Sequence, residues 1–276
     1  MTVEELIVYG KSKISSTHAK MLLAILLDVN SLELLTMLDS VVSDEIVQDY
    51  KEKVQKIRDN QPIQYVVGTV NFYGNIFRVN PNVLIPRFET EELVENVLSY
   101  IRYEFSDAKR VIDLGCGSGA IGLTIKKKCP ELDVTLLDIS PLALEVAKEN
   151  AASLELDVCF IQSDMWSEVD EKYDIIISNP PYIRNDEEIQ DIVRDNEPAL
   201  ALYGGADGLD CYRKIRERLL EHTCNQFLLA MEIGDLQKDA VVSLFSDIPN
   251  VQIVAKKDLQ GRDPVSYTHL TLPTIA

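Results

Sequence analysis

The chain has 276 residues, of which 46% are apolar and 26% are charged. This length and composition fit one large globular domain or two ordinary ones, and they exclude a disordered chain or a fibre. Acidic residues outnumber basic ones by 45 to 27, which gives a net charge of −18. Without a local basic patch such a surface repels phosphate backbones and anionic lipids, so we expect no stable nucleic-acid binding and no membrane partner.

The cysteines and histidines show no pattern of a disulfide framework or a metal site. The five cysteines are scattered and contain no CxxC pair, and the three histidines lie far apart, so no metal is expected. The N-terminus has no basic and apolar leader, and the longest apolar run, residues 21–27, is too short to span a membrane. We therefore expect a soluble protein of the reducing cytoplasm.

Residues 1–62 are predicted to form a small helical domain. Residues 43–60 place Ile46, Tyr50 and Val54 on one helical face, and shorter leucine-rich helical segments precede them. Helices this short are marginal in isolation, because most of their stability comes from packing. A helical bundle is therefore expected.

Residues 63–88 are predicted to form a β-hairpin that links two domains. Short apolar runs such as Val66-Val67 and Phe72-Tyr73 alternate here with glycines and prolines. Apolar runs bounded by these residues are typical of strands and turns.

From residue 89 onward, helical and strand patterns alternate. The predicted strands are residues 111–114, 134–138, 158–162, 173–178, 227–232 and 251–255. Apolar strands separated by helices indicate a mostly parallel, doubly wound sheet. Residues 89–276 are therefore expected to form a Rossmann-like α/β domain.

A glycine-rich loop follows the first strand of this domain. The heptapeptide DLGCGSG, residues 113–119, permits a tight turn and leaves bare backbone for a ligand. Asp138 ends the next strand, a position from which a carboxylate reaches ribose hydroxyls. The acid followed by GxGxG resembles the S-adenosylmethionine loop of Rossmann-like methyltransferases, and the alternative is a tight turn without a ligand. Cys116 has no basic or histidine neighbour in sequence and is interpreted as a spacer, not a nucleophile.

A second motif, NPPY at residues 179–182, follows the predicted strand 173–178. Ligand sites of parallel sheets lie at the carboxyl ends of the strands. Because the prolines lack N–H donors, the Asn179 amide oxygen and the Pro180 carbonyl remain as acceptors, and Tyr182 adds an aromatic face. These groups suit a planar –NH2 group whose nitrogen faces a methyl donor. The alternative is a rigid turn without a chemical role.

Together with other segments, these motifs resemble the PrmC/HemK family of release-factor glutamine methyltransferases. Residues 84–91 read LIPRFETE, similar to the family's LIPRPETE, and the glycines and DGL of residues 204–209 also match. These segments are more specific than NPPY, which adenine methyltransferases share. The resemblance extends to about Asp263.

The resemblance implies methyl transfer from S-adenosyl-L-methionine, with S-adenosyl-L-homocysteine as product. The acceptor would be the side-chain amide nitrogen (N5) of the glutamine in the GGQ motif of class I peptide-chain release factors. Residues 1–62 would be the substrate-recognition domain that helps to bind the release factor.

The resemblance also implies the roles of the site residues. Residues 115–119 would hold the methionine part of the cofactor, Asp138 the ribose and Trp166 the adenine, although a lone tryptophan is more often a core residue. The implied cofactor contacts are Gly115, Cys116, Gly117, Ser118, Gly119, Asp138, Trp166 and Asn179. The implied substrate contacts are Asn179, Pro180, Pro181 and Tyr182. The implied catalytic residues among them are Asn179, Pro180 and Tyr182.

The sequence departs from the family pattern in two places. Phe88 replaces the second proline of PRPETE, which has little consequence for the interpretation. From Pro264 the sequence no longer continues as the family does, so residues 264–276 are expected to be a non-native tail and the last strand to be incomplete.

Two other functions use the same residues. An adenine-N6 methyltransferase of DNA or RNA would hold a flipped base with Asn179 and Tyr182, but the net charge and the acidic run after NPPY oppose it. A non-enzymatic cofactor-binding protein of translation would not require the polar geometry of NPPY.

Overall fold

The computed structural model describes residues 1–255 and 268–271. The chain divides into two compact units. The first contains Met1–Thr69 and Gln190–Asn196, and the second contains Val70–Ile189 and Glu197–Ala276. No helix among the described residues is long and apolar enough to cross a membrane.

The first unit is built from helices, as expected for residues 1–62. They are α1 (Val3–Lys11), α2 (Ser16–Leu26), α3 (Ser31–Thr36), α4 (Asp44–Arg58) and α5 (Ile63–Val67). Polar side chains cap the first four of these helices, and Thr2 and Asn30 each form a capping box with the glutamate three residues later. Tyr50 anchors the core, since its ring is fully buried and its hydroxyl donates to the Ala19 carbonyl at 3.1 Å.

The segment expected to begin the hairpin begins instead with a helix. Residues 63–67 form α5, which starts after Pro62 and ends at Gly68 with a left-handed φ of +79°. The valines suggested a strand, but Pro62 and Gly68 supply a helix start and stop. The hairpin itself consists of β1 (Thr69–Phe72) and β2 (Asn75–Arg78).

The second unit contains a seven-stranded sheet in the order β5-β4-β3-β6-β7-β9-β8. Its strands are β3 (Arg110–Leu114), β4 (Asp133–Asp138), β5 (Cys159–Gln162), β6 (Tyr173–Ser178), β7 (Thr223–Met231), β8 (Gln252–Ala255) and β9 (Thr268–Thr271). The first five strands in this order are parallel, and β9 runs antiparallel to β7 and β8. The predicted mostly parallel, doubly wound sheet is therefore confirmed.

Helices cover both faces of this sheet. The helices of the second unit are α6 (Phe88–Tyr103), α7 (Ala120–Lys128), α8 (Pro141–Ser153), α10 (Ala199–Leu202), α11 (Asp210–Arg218) and α12 (Lys238–Phe245), whereas α9 (Asp191–Arg194) belongs to the first unit. One core cluster joins one sheet face to α6, α7 and α8, and the other joins the opposite face to α11 and α12. Helices on both faces explain why the strands are apolar almost throughout.

The strand order reverses between β3 and β6, which are neighbours at the centre of the sheet. Their ends are in register, with Leu114 opposite Ser178, and the Ser178 hydroxyl donates to the Leu114 carbonyl at 2.7 Å. Ligands of open α/β sheets bind at such a reversal. The glycine loop after β3 and NPPY after β6 therefore emerge side by side.

The strand β9 was not predicted from the sequence. It pairs with both β7 and β8 and so occupies the place between them. This strand belongs to residues 264–276, the tail that was expected to be non-native. The other residues of that tail, 264–267 and 272–276, lie outside the described residues.

Candidate active site

A cavity opens at the carboxyl ends of the central strands. The glycine loop, the end of β4, the segment from Asn82 to Thr90 and the NPPY segment all contribute to its wall. The candidate site residues that line it are Gly115, Cys116, Gly117, Ser118, Asp138, Asn179 and Pro181. The structure thus brings most of the candidate residues together around one space.

The glycine loop leaves bare backbone facing open space. Gly115 and Gly117 have left-handed φ values of +73° and +54°, and a Cβ added to either would meet no atom within 4 Å. Gly119 differs, because its added Cβ would lie 2.9 Å from Leu123, and it does not line the cavity. Gly115 and Gly117 form a cradle, whereas Gly119 permits close helix–sheet packing.

Cys116 forms part of the cavity wall. Its side chain is buried, and burial together with the nearby carboxylates Asp113 and Asp138 raises its pKa well above the usual thiol value. A thiol that stays protonated is a poor nucleophile. The spacer interpretation therefore agrees with its environment.

Asp138 links the end of β4 to the glycine loop. Its Oδ2 accepts a 2.8 Å hydrogen bond from the Gly117 N–H, and its Oδ1 accepts one at 2.9 Å from the Ser140 N–H. Burial raises the pKa of this carboxyl, and these two bonds oppose the shift. Each oxygen retains a lone pair with which it can accept a hydrogen bond from a ligand hydroxyl.

Asn179 is held by a residue that sequence reasoning did not single out as functional. Its Nδ2 donates to Thr90 Oγ1 at 3.2 Å, and the Thr90 hydroxyl donates to Glu232 Oε2 at 2.7 Å. Within the described part of the chain, Asn179 Oδ1 accepts no hydrogen bond. Thr90 lies in the LIPRFETE motif, whereas the only sequence signal for Glu232 is its place at the end of a predicted strand.

Pro180 and Tyr182 do not line the cavity. Pro180 is buried, and the Tyr182 hydroxyl lies 3.5 Å from Glu232 Oε1. Burial and the adjacent Glu232 raise the pKa of Tyr182. The ring packs towards Gly234, whose added Cβ would lie 2.8 Å from it, and a contact of this ring with the substrate stays a prediction.

Two glycines after β6 fix the NPPY backbone. A Cβ on Gly204 would lie 2.4 Å from the Pro181 carbonyl oxygen, and one on Gly208 would lie 2.3 Å from that of Tyr182. Any side chain at these positions would therefore push the NPPY segment. This packing gives a physical reason for the glycines of residues 204–209.

Trp166 does not lie where the resemblance implied. Its ring is 2% exposed and belongs to the core cluster on the face of α11 and α12. Its Nε1 donates to the Ile215 carbonyl at 2.8 Å, and the ring stacks on His222 at 5.0 Å. Trp166 is thus a core residue, and the neighbouring Met165 lines the cavity instead.

One member of a charged pair also lines the cavity. Arg87, which lines the cavity, pairs with the buried carboxylate of Glu197. Glu197 Oε2 also accepts from the Ile85 N–H at 3.1 Å. Among the described residues, no group of three or more His, Cys, Asp or Glu side chains is placed to hold a metal ion.

Two family descriptions match this chain. The "PrmC N-terminal domain" matches residues 10–68, and the "Methyltransferase small domain" matches residues 90–204. Among solved structures, a methyltransferase from Pyrococcus furiosus superposes with a TM-score of 0.53 at 16% identity, covering 80% of this chain and 98% of that one. At this identity the superposition shows the fold alone.

Relatives that match this chain over most of their own length show the family to which it belongs. A "Release factor glutamine methyltransferase" from Bacillus cereus is 38% identical over 251 residues, covering 88% of this chain and 89% of the relative. One from Streptococcus pneumoniae is 40% identical, covering 81% and 80%. The resemblance drawn from the motifs is confirmed, and this chain belongs to the family of release factor glutamine methyltransferases.

Proposed function

We propose that this protein transfers a methyl group from S-adenosyl-L-methionine to the side-chain amide nitrogen of the glutamine in the GGQ motif of class I release factors. The observation that carries the proposal is the position of Asn179. Its amide is fixed by Thr90 and lines the same cavity as the glycine loop. Relatives named as release factor glutamine methyltransferases support the same substrate class.

The residues at the cavity fit the proposed cofactor. The bare backbone of Gly115 and Gly117 would hold its methionine part, and the Asp138 carboxylate would accept hydrogen bonds from its ribose hydroxyls. Met165 lines the cavity and Trp166 does not, so the adenine would be expected to lie beside Met165. When bound, the cofactor supplies an electrophilic methyl group on a sulfonium sulfur.

Asn179 and Pro180 would position the substrate amide. Asn179 lines the cavity and its Oδ1 accepts no hydrogen bond within the described residues, so this oxygen is available to one N–H of the substrate –NH2 group. The Pro180 carbonyl oxygen, which also accepts none among those residues, is proposed to take the second N–H, although Pro180 is buried beside the cavity. Fixing both hydrogens orients the nitrogen and opposes delocalisation of its lone pair into the carbonyl. Positioning of this kind lowers barriers by up to roughly 7–11 kcal/mol.

The reaction balances without a catalytic base. The amide nitrogen would form one new N–C bond while the methyl–sulfur bond breaks and leaves its electron pair on a thioether sulfur, and the nitrogen would lose one proton, which water can accept. Tyr182 would act at a distance from the substrate, because its hydroxyl faces Glu232 rather than the cavity.

The helical unit is proposed to contribute to release-factor binding, with residues 1–62 as the recognition domain, 63–88 as the linker and 89–276 as the catalytic domain. Release factors act in translation, so the proposed compartment is the cytoplasm. Adenine-N6 methylation, the alternative that NPPY leaves open, is not favoured by the relatives.

The proposal is tested by methyl transfer from labelled S-adenosylmethionine. The substrates are a purified release factor, its GGQ→GGA variant, DNA and ribosomal RNA. Wild type and Asn179→Ala are compared with Asn185→Ala, a control on the exposed loop after NPPY. We expect label only on the GGQ protein, lost in Asn179→Ala and retained in Asn185→Ala. Label on nucleic acid, or on the GGA variant, would contradict the proposal.

A further inference from the structure

Three side chains from distant parts of the sequence form a hydrogen-bonded chain behind the cavity. Asn179 follows β6, Thr90 lies in the first turn of α6 and Glu232 follows β7. Asn179 Nδ2 lies 3.2 Å from Thr90 Oγ1, and Thr90 Oγ1 lies 2.7 Å from Glu232 Oε2. Thr90 and Glu232 are both buried, at 4% and 2% exposure, so the bond between them is shielded from solvent.

The direction of these bonds follows from donor and acceptor chemistry. An ionised carboxylate only accepts, so the single hydroxyl hydrogen of Thr90 points to Glu232. Thr90 then has only lone pairs to offer Asn179, which must turn its –NH2 group towards them. The other end of the amide, Oδ1, is thereby directed away from Thr90.

We propose that Glu232 is a positioning residue that acts through Thr90 to fix the orientation of the Asn179 amide. In this orientation Asn179 presents an acceptor to the cavity, as the –NH2 group of a substrate amide requires. The inference rests on the proposed function only for the identity of that substrate. Glu232 itself does not line the cavity.

The protonation state of Glu232 controls the direction of the chain. A protonated Glu232 carries a hydrogen of its own and can donate it to Thr90. The Thr90 hydroxyl is then free to donate to Asn179, whose amide can turn its –NH2 group into the cavity. The Asn179 –NH2 group would then face the substrate –NH2 group, and two donors cannot form a hydrogen bond with each other. The form of the protein that can hold the substrate amide is therefore the one with Glu232 ionised.

The surroundings of Glu232 place this change near neutral pH. Burial raises the pKa of Glu232 to about 7, and Glu89 at the start of α6 adds to the rise. The hydrogen bond from Thr90 opposes the rise most, and the Tyr182 hydroxyl and Arg87 oppose it as well. From α11 the Tyr212 hydroxyl faces this residue too, donating to the Glu232 carbonyl oxygen at 2.9 Å. We therefore expect the turnover rate to fall as the pH decreases through about 7.

The kinetic test uses Glu232→Gln, Thr90→Val and Thr90→Ser. Glu232→Gln cannot titrate, so the fall in rate near pH 7 should disappear in this variant. Thr90→Val should lower kcat about 10- to 100-fold with KM for the cofactor within about twofold, since only substrate positioning is lost. Thr90→Ser, which keeps the hydroxyl, should recover most of that loss. Asp113→Asn removes another buried carboxyl with a pKa of about 7 and should leave the fall in place.

A second readout does not depend on activity. In protein with 15N-labelled asparagine, the side-chain amide signal of Asn179 is assigned by its absence in Asn179→Ala. We expect this signal to shift with a midpoint near pH 7 in the wild type and in Thr90→Ser, but not in Glu232→Gln or Thr90→Val. A signal that does not respond to pH, or responds equally in Glu232→Gln, would overturn the positioning role. If the pH response is present but no release factor is methylated, the proposed function fails while the positioning role holds.

Discussion

The backbone N–H of Gly117 donates a 2.8 Å hydrogen bond to the Asp138 carboxylate, which joins the loop after β3 to the end of β4. Asp138 thus shapes the glycine loop and lines the cavity at the same time. The loop and the acid are therefore one structural element, although 21 positions separate the two residues.

Asp138→Asn should weaken cofactor binding. The change removes the negative charge from the proposed ribose contact and puts an –NH2 group beside either Gly117 or Ser140. Because hydrogen bonds to charged groups are worth about 1.5–3 kcal/mol, we expect a loss of affinity of about tenfold or more. Isothermal titration with S-adenosylmethionine measures it. Asp133→Asn, at the exposed start of the same strand, is the control, and an equal loss in both variants would contradict the assignment.

Gly208→Ala should disturb the NPPY segment. Gly208 and Gly74 both have left-handed φ values, +76° and +73°, so alanine strains the backbone at either position by about 1 kcal/mol. Only at Gly208 does the new Cβ also meet the Tyr182 carbonyl, at 2.3 Å. We expect Gly208→Ala to reduce methyl transfer at least about tenfold, because misplacement near 1 Å is that costly. Gly74→Ala should keep its rate, and equal rates in the two variants would show that this packing has no role.

Trp166→Phe should affect stability rather than cofactor binding. The change removes the hydrogen bond to the Ile215 carbonyl and leaves space in the core, at a cost of about 2 kcal/mol. We expect a lower thermal midpoint, while the affinity for S-adenosylmethionine, measured well below that midpoint, stays within about twofold of wild type. A large loss of affinity in the folded variant would restore the adenine role that the resemblance implied.

Asp113 should make stability depend on pH. Burial raises its pKa to about 7 in the folded chain, from an ordinary value of 3.8. Between these values the folded chain keeps a proton that the unfolded chain has lost, so the contribution of Asp113 to the free energy of unfolding decreases as the pH rises. One carboxyl gives a slope of at most about 1.4 kcal/mol per pH unit, which levels off above pH 7.

Urea unfolding of wild type and Asp113→Asn from pH 5 to pH 8 checks this sign. The stability of the wild type relative to Asp113→Asn should decrease as the pH rises across the interval. A difference that is constant, or that grows with pH, would contradict a buried and protonated Asp113. Glu232 shifts in the same direction, and since it is present in both proteins its effect cancels in the comparison.

The sequence predicted the parts of the site that local chemistry determines. The glycine loop and NPPY each follow an apolar strand directly, and the carboxyl ends of adjacent parallel strands meet at one edge of a sheet. The positions of Asp138 and Asn179 at the cavity therefore follow from strand order. Thr90 and Glu232 do not, because their contact joins residues 142 positions apart and has no spacing of its own.

The remaining differences have separate origins. The adenine role of Trp166 came from the resemblance alone, whereas the residue type by itself favoured the core position that Trp166 occupies. Residues 63–67 form a helix despite the β-propensity of their valines, because Pro62 and Gly68 define the ends of that helix. The contact between Tyr182 and Gly234 joins residues more than fifty positions apart, so no local spacing predicts it.

Asn179 is proposed to position the side-chain amide nitrogen of the GGQ glutamine for methylation. Mass spectrometry of a release factor incubated with S-adenosylmethionine and either wild type or Asn179→Ala tests it most directly, with cofactor binding to both proteins measured in parallel. We expect one methyl group on the side-chain nitrogen of that glutamine with wild type, and none with an Asn179→Ala protein that still binds the cofactor. A methyl group on any other residue, or full methylation by Asn179→Ala, would contradict it.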